Sequence, residues 1–287
     1  MANRRVLVKR RKAVRNIRKI TRTMQLIATA RFQATFNRAV ATRPYSQKLG
    51  ELVADLARAS GNIDHPLMRK NPNAPKSALV VISSNRGLCG GYNAGVLRKA
   101  VAHVEAQGKP VDVHMVGKKG VGYFRFLGRP VAERITHLAD EVRYAEIEPI
   151  ANKLMEQFVR GEIGAVYVAY VAFESASRQT PTVTQLLPLA PPPVAGNSSA
   201  KTVEYEFSPE PAELLAALLP ASVRMRLFQS FVEAVVSEHV ARMVAMKAAT
   251  DAAGDMIKSL TRRYNRARQT HITMELLDII GGASSLS

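Results

Sequence analysis

Between Ala221 and Ile280 there are 60 residues without a proline, and as one α-helix at ~1.5 Å per residue they would extend roughly 90 Å. The mean helix of a globular protein has ~11 to 12 residues. A segment of that length cannot be wrapped inside the core of a 287-residue chain, so it must run alongside a second long helix. The sequence supplies one. From about Val6 to Ala59 the only glycine is Gly50 and the only proline Pro44. There Ala13, Ile17, Ile20, Met24 and Ile27 recur at alternating steps of four and three, with a parallel stripe at Val14, Thr21, Ala28 and Phe32, the pattern of a coiled-coil seam. Arg11, Arg15, Arg18 and Arg22 run beside it as a polar flank. The C-terminal segment answers with Leu227, Phe231, Ala234, Ala241, Ala245, Ala248 and Ala252, whose small side chains allow a close approach. Helices at opposite ends of one chain predict an antiparallel pair. Ser208, Pro209, Glu210 and Pro211 suit a helix start, and Pro220 predicts a kink or restart.

The middle of the chain has another rhythm. Ala78–Ile82 is a buried-strand run, followed by a glycine-rich turn and a helical stretch from about Tyr92 to Gln107. Val111–Val116 reads as a strand, Val142–Val159 as a helix, Val166–Phe173 as a strand and Val183–Leu189 as a fourth strand. Alternation of this kind predicts an open, Rossmann-like α/β sheet. Pro188–Gly196 and Asn197–Ser199 read as an exposed loop. The expected fold class is therefore α/β with long helices: an antiparallel coiled coil of N- and C-terminal helices plus a central sheet domain. The expected divisions are 1–60, 76–200 and 208–287.

Charge narrows the partners. Lysine and arginine number 41 against 23 aspartates and glutamates, and residues 1–50 hold 14 of the basic residues and no acidic one. The other 237 residues carry 27 basic and 23 acidic side chains, a balance of only +4. The basic character belongs to an N-terminal arm, which predicts an acidic partner surface. No stretch approaches the ~18 uninterrupted apolar residues of a membrane span, and residues 1–25 lack the apolar block of a secretory signal. An Arg-rich start also fits an organellar transit peptide, against which stands its unbroken passage into a periodic helix. The single cysteine, Cys89, excludes an intrachain disulfide and a multi-thiolate metal site. The six histidines show no metal-ligand spacing, so neither a metal nor a cofactor is expected.

The most site-like segment is Ser83–Tyr92, at a strand-to-helix turn. Backbone amides there could hold phosphate; the alternative is that Gly87, Gly90 and Gly91 let a tight turn pack on the sheet. Neither G-x-G-x-x-G nor a Walker pattern occurs in the chain. Cys89 is either a nucleophile activated at the helix end or a small buried thiol, and no histidine is near it in sequence. No residue set for catalysis is visible. Near the C-terminus Arg262, Arg263, Arg266 and Arg268 mix with Asn265, Gln269 and Thr270, and Ile272, Leu276, Ile279 and Ile280 follow. That tract is either a helix with a solvated basic face or a helix tip bearing on partner subunits. Met24, Leu26 and Ile27 are likewise seam residues or bearing contacts.

Several segments together resemble the gamma subunit of the rotary F-type ATP synthase: Lys19-Ile-Thr-Arg-Thr-Met24 with Ala28, Ala30 and Arg43-Pro-Tyr45, then Arg86-Gly-Leu-Cys-Gly-Gly91 as the central signature. Ser237-Glu-His, Arg242-Met243 and Ala245–Asp251 resemble its C-terminal helix, and Asn265, Ala267-Arg268-Gln269, Ile272-Thr273, Glu275-Leu276, Ile279, Gly282 and Ala283 its terminal motif. The resemblance covers essentially the whole chain. It implies a non-catalytic shaft inside an alternating hexamer of catalytic and noncatalytic ATPase subunits, partnered also by an epsilon subunit and a membrane ion-translocating ring. Ion flow, of protons or sodium, turns the ring, and the shaft cycles the nucleotide sites. The implied place is the cytoplasmic face of the bacterial plasma (inner) membrane, as a peripheral subunit. By the same resemblance Met24, Arg268, Gln269 and Thr273 contact the catalytic subunit, Phe207 and Ser208 the membrane ring, and Arg86, Gly87, Leu88, Cys89, Gly90 and Gly91 form the signature turn. The sequence departs from the family's usual pattern at Asn85 and Ser208, where carboxylates are usual, and in its tail Gly281–Ser287. Two other functions remain as alternatives: a basic nucleic-acid-binding protein, with the N-terminal charges on phosphates, and a nucleotide-using α/β enzyme. The resemblance implies no nucleic-acid partner.

Overall fold

The computed structural model describes residues 4–59, 65–138, 142–189 and 211–284. In order these are α1 (Arg4–Ala59), β1 (Lys76–Ile82), α2 (Tyr92–Ala106), β2 (Val111–Val116), α3 (Lys118–Phe126), β3 (Glu133–Ile135), α4 (Tyr144–Val159), β4 (Ile163–Phe173), β5 (Gln179–Leu187) and α5 (Pro211–Ser284). Two units divide them, Arg31–Ala241 in one and Met1–Ala30 with Arg242–Ser287 in the other, so the division falls within the long helices rather than at their ends.

The unit of residues 31–241 is built on a sheet of order β3-β2-β1-β4-β5. The β1–β2, β2–β3 and β1–β4 pairs are parallel, and β5 closes one edge antiparallel to β4. β1 shows why. Its Ala78, Val80 and Ile82 enter one core and Leu79 and Val81 the other, the two-sided burial a parallel strand requires. α2 and α3 cover the second face through Val96, Leu97, Val121 and Phe124. The first face is covered by α4 with Ile147, Leu154 and Phe158, by Leu49 and Leu56 of α1, and by Leu215, Leu219, Leu227 and Phe231 of α5. Burying one such aliphatic or aromatic side chain contributes about 1.5–3 kcal/mol, and the two clusters together hold the layers.

Two elements escaped the sequence reading. α3 follows Gly117 and contains Gly120 and Gly122, which read as breakers. Gly117 has φ of 88°, and a Cβ there would lie 2.2 Å from the Ser83 carbonyl oxygen. A Cβ on Gly120 would lie 2.3 Å from Met115 Sδ. Both glycines are what lets α3 lie against the sheet. β3 is three residues long and contains Glu133 and Arg134, so no apolar run announces it. β5 starts at Gln179 and ends at Leu187, displaced from the expected Val183–Leu189 because its early residues Gln179–Thr182 are polar and half-buried on an edge. α5 continues through Pro220 without a restart. Residues 190–199 of the expected loop, and the helix-start residues Ser208–Glu210, lie outside the described residues.

In the other unit α1 and α5 run antiparallel: the Thr250 and Thr21 hydroxyls meet at 2.8 Å, and the Arg11 guanidinium lies 5.0 Å over the Tyr264 ring. Leu7, Ala28, Met246, Thr250 and Ala253 are buried. That places the seam on the second stripe, Val14, Thr21 and Ala28, and corrects the sequence reading. Ile17, Ile20 and Ile27 are at least half exposed, and Ala13, Ala248 and Ala252 are exposed as well. Two adjacent apolar stripes satisfy the same periodicity, and a single partner helix can cover only one. Arg11, expected on the polar flank, is drawn onto Tyr264 instead.

Candidate partner-binding surfaces

At the end of β1 the chain enters Ser83–Gly91, and its polar groups are used internally. The Ser84 hydroxyl donates to the Arg86 carbonyl at 2.6 Å and accepts from Asn93 Nδ2 at 2.7 Å. Asn93 Oδ1 accepts the Ser84 N–H at 3.0 Å, and Asn93 Nδ2 lies 3.2 Å from Cys89 Sγ. Cys89 is 2% exposed, and among the described residues no imidazole or carboxylate hydrogen-bonds its sulfur, so it takes the structural role of a buried thiol. Leu88 adopts φ of 62° and Gly90 56°. Left-handed backbone costs a leucine about 1–2 kcal/mol, and the side chain it turns out is largely exposed. The turn is thus a packed corner with one apolar side chain standing out.

Asn85 ties this corner to its neighbours. Its Nδ2 donates to the Leu138 carbonyl at 3.0 Å, while its Oδ1 accepts the Lys118 N–H at 3.2 Å. One amide thereby joins the loops that follow β1, β2 and β3. A carboxylate could accept from Lys118 but could not donate to Leu138, which accounts for an asparagine at this position.

The second surface belongs to the helix pair. Every α5 residue from Arg268 to Gly281 is exposed, and the segment carries Ile272, Met274, Leu276, Leu277, Ile279 and Ile280 in water. Nearer the middle of the pair Ile17, Ile20, Leu26, Ile27, Val244 and Met256 are exposed too. A monomer seldom leaves so much contiguous aliphatic surface uncovered. Arg268, Gln269 and Thr273 are exposed in the same segment, with the Thr273 hydroxyl donating to the Gln269 carbonyl at 3.0 Å, so one helical turn brings 269 and 273 together. Met24 is half-buried at the edge of the seam. Phe207 and Ser208 lie outside the described residues. The sequence reading missed Met274 and Leu277, which continue the apolar tip around the helix, and the His271–Glu275 contact at 3.0 Å.

A family model described as ATP synthase matches residues 3–286. The chain is 42% identical over 294 residues to an ATP synthase gamma chain of Rhodopirellula baltica, covering 100% of this chain and 99% of that one. It belongs to the ATP synthase gamma-chain family. A gamma chain of Dehalococcoides mccartyi is 41% identical over 292 residues, with both chains covered in full. Among solved structures, a rotor chain of the Euglena gracilis mitochondrial ATP synthase in rotational state 1 has the same fold, with a TM-score of 0.65 at 16% identity over 94% of this chain and 98% of that one. A chain from the rotational state 3 structure reaches a TM-score of 0.68 at 17% identity over 99% of this chain and 94% of that one. The basic N-terminal arm lies in α1, paired with α5, and the nucleic-acid reading has no support. No described helix is long and apolar enough to cross a membrane.

Proposed function

We infer that this chain is the non-catalytic central rotor shaft of an F-type ATP synthase, coupling ion flow through a membrane ring to ATP synthesis and hydrolysis in the catalytic hexamer. One observation carries the reading: a chain that matches 99% of a gamma chain's length presents an antiparallel helix pair with aliphatic side chains exposed along it and at the end of α5. Such a shaft works through asymmetry. Its faces differ, so each catalytic subunit meets a different surface, and rotation selects among the conformations of the nucleotide sites in turn. The chemistry then resides in the hexamer, while this chain supplies only differential contact energy. In this scheme Met24, Arg268, Gln269 and Thr273 face the catalytic subunit, and Phe207 with Ser208 faces the membrane ring. Segments 1–60 and 208–287 serve as the shaft and 76–200 as the central α/β domain, with an epsilon subunit as a further partner. The place of work is the cytoplasmic face of a bacterial plasma membrane, peripherally bound.

The test is reconstitution. Purified chain alone should turn over no ATP, and its addition to hexamer subunits should raise their ATPase activity and make it cooperative. Robust turnover by the chain free of hexamer subunits would sink the reading.

A further inference from the structure

Within the unit of residues 31–241 a cavity of about 380 Å³ opens where α1 meets the end of β4 and the middle of α5. Phe32 and Phe36, a helical turn apart, stand with Phe173 so that the three ring centroids lie 5.5, 5.8 and 6.3 Å from one another. Each ring is only half-buried and each lines the cavity, so the trio forms an aromatic wall rather than a closed core. The volume falls in the ~300–1,000 Å³ range of small-ligand sites, which are mostly apolar with a few polar groups that fix orientation.

The polar side decides the ligand class. Two carboxylates line the cavity, Glu174 and Glu233, and no described lining residue is basic. Glu174 is committed, since Arg178 Nε lies 2.8 Å from it and the Thr180 hydroxyl donates to it at 2.6 Å. Glu233 is not. Half-buried on α5, it accepts the Gln229 amide at 3.1 Å, and among the described residues no lysine, arginine or histidine pairs with it. A carboxylate partly out of water attracts a counter-charge more strongly than one in bulk solvent. The same hydrogen bond fixes the Gln229 amide, whose Oε1 is left as a buried acceptor without a donor. An ammonium brings three donors and no acceptor, and aromatic surface attracts a cation through the ring quadrupole where aliphatic surface does not. An anion would be repelled by Glu233, and a neutral ligand would leave that charge unpaired.

We propose that this cavity binds a small organic ammonium, its apolar body on the Phe32, Phe36 and Phe173 wall and its charged nitrogen paired with Glu233. The site does not depend on the rotor reading, because it needs no other subunit. Full-length chain is titrated calorimetrically with phenethylammonium, phenethyl alcohol, methylammonium and hydrocinnamate. Phenethylammonium should bind saturably at one site per chain. It should bind at least tenfold tighter than phenethyl alcohol, which keeps the ring and lacks the charge, or methylammonium, which keeps the charge and lacks the ring. Hydrocinnamate, an anion, should not bind. Glu233→Gln keeps an acceptor for Gln229 and removes the charge, so it should abolish the preference for the ammonium over the alcohol. Affinity for the alcohol should stay within twofold in that variant, which verifies that the cavity is intact. Phe36→Leu, titrated well below its melting midpoint, should weaken phenethylammonium binding at least fivefold. Glu174→Gln removes a charge that Arg178 already occupies and should change it less than twofold. Equal losses in Glu174→Gln and Glu233→Gln, or non-saturable binding, would reduce the effect to diffuse negative charge and overturn the site. Equal affinity of the unaltered chain for alcohol and ammonium would overturn the ligand class. Displacement of the bound amine by a trilysine peptide at a lower concentration than by free phenethylammonium would assign the cavity to a protein partner and overturn the small-ligand reading.

Discussion

Ile279 and Ile280 sit in the α5 tip with 68% and 64% of their surface in water. Replacing both with alanine removes three carbons from each side chain. A buried methylene contributes ~0.8 kcal/mol, so with about two-thirds of each side chain still to be covered, docking in a sleeve of partner subunits stands to lose ~1.6 kcal/mol per residue and ~3 kcal/mol for the pair. That corresponds to about a hundredfold in dissociation constant, an upper figure because area converts imperfectly into affinity. The free chain should barely notice, since exposed substitutions stay within about ±0.5 kcal/mol and alanine is a better helix former than isoleucine. The measurement is affinity for the isolated catalytic hexamer by surface-immobilised titration, beside thermal melts of the free variant. Arg262→Ala with Arg263→Ala, exposed on the same helix, is the control and should change affinity less than threefold. Unchanged affinity for the isoleucine pair, or an equal loss in the arginine control, would refute the idea that the tip is an apolar bearing. A lower melting temperature for the free variant would mean that the tip packs on its own chain.

Arg268→Ala with Gln269→Ala should slow hexamer ATPase turnover or weaken assembly, because charge-assisted hydrogen bonds in a desolvated contact are worth about 1.5–3 kcal/mol; equal assembly and turnover would remove both residues from the contact. Ala28 is 1% exposed, so Ala28→Trp should destabilise the helix pair by roughly 1–3 kcal/mol or more, whereas Ala248→Trp, on an exposed position, should melt like the unaltered chain; the reverse order would return the seam to the other stripe. Burial lowers the pKa of His103, which packs against the Tyr167 ring, and burial followed by the Arg69 charge lowers that of His65. The unfolded chain therefore binds these protons more readily, so stability is full above the ordinary histidine pKa of ~6.5 and falls as pH drops through and below it. His103→Gln should flatten the fall in denaturant midpoint between about pH 7.5 and 5.5; an unchanged slope would assign it to other groups.

What could be read from the sequence follows physical scale. β1 was legible because Ala78–Ile82 is buried on both sides, which leaves a continuous apolar run. α3 was hidden by glycines whose reason is a neighbour 34 positions earlier, the Ser83 carbonyl against the face of Gly117 that carries no side chain. Periodicity located a seam on α1 but could not choose between Ile17–Ile20–Ile27 and Val14–Thr21–Ala28, because that choice depends on the register of the partner helix. The apolar residues after Arg268 were visible as a pattern, yet their lack of a covering helix is a property of how far the pair extends. A cavity of about 670 Å³ lined by Arg38, Arg86 and Lys118, among others, collects residues from separate stretches of chain, and no local window contains it.

Leu88 has an evolutionary consequence. It occupies a left-handed position beside Gly87 and Gly90, where glycine would relieve about 1 kcal/mol of backbone strain. A lineage judged only on the heat resistance of the free chain would drift to glycine there. A strained, outward-facing leucine does little for the free chain, so the informative variant at this corner is Leu88→Gly, which removes the projecting side chain together with the strain.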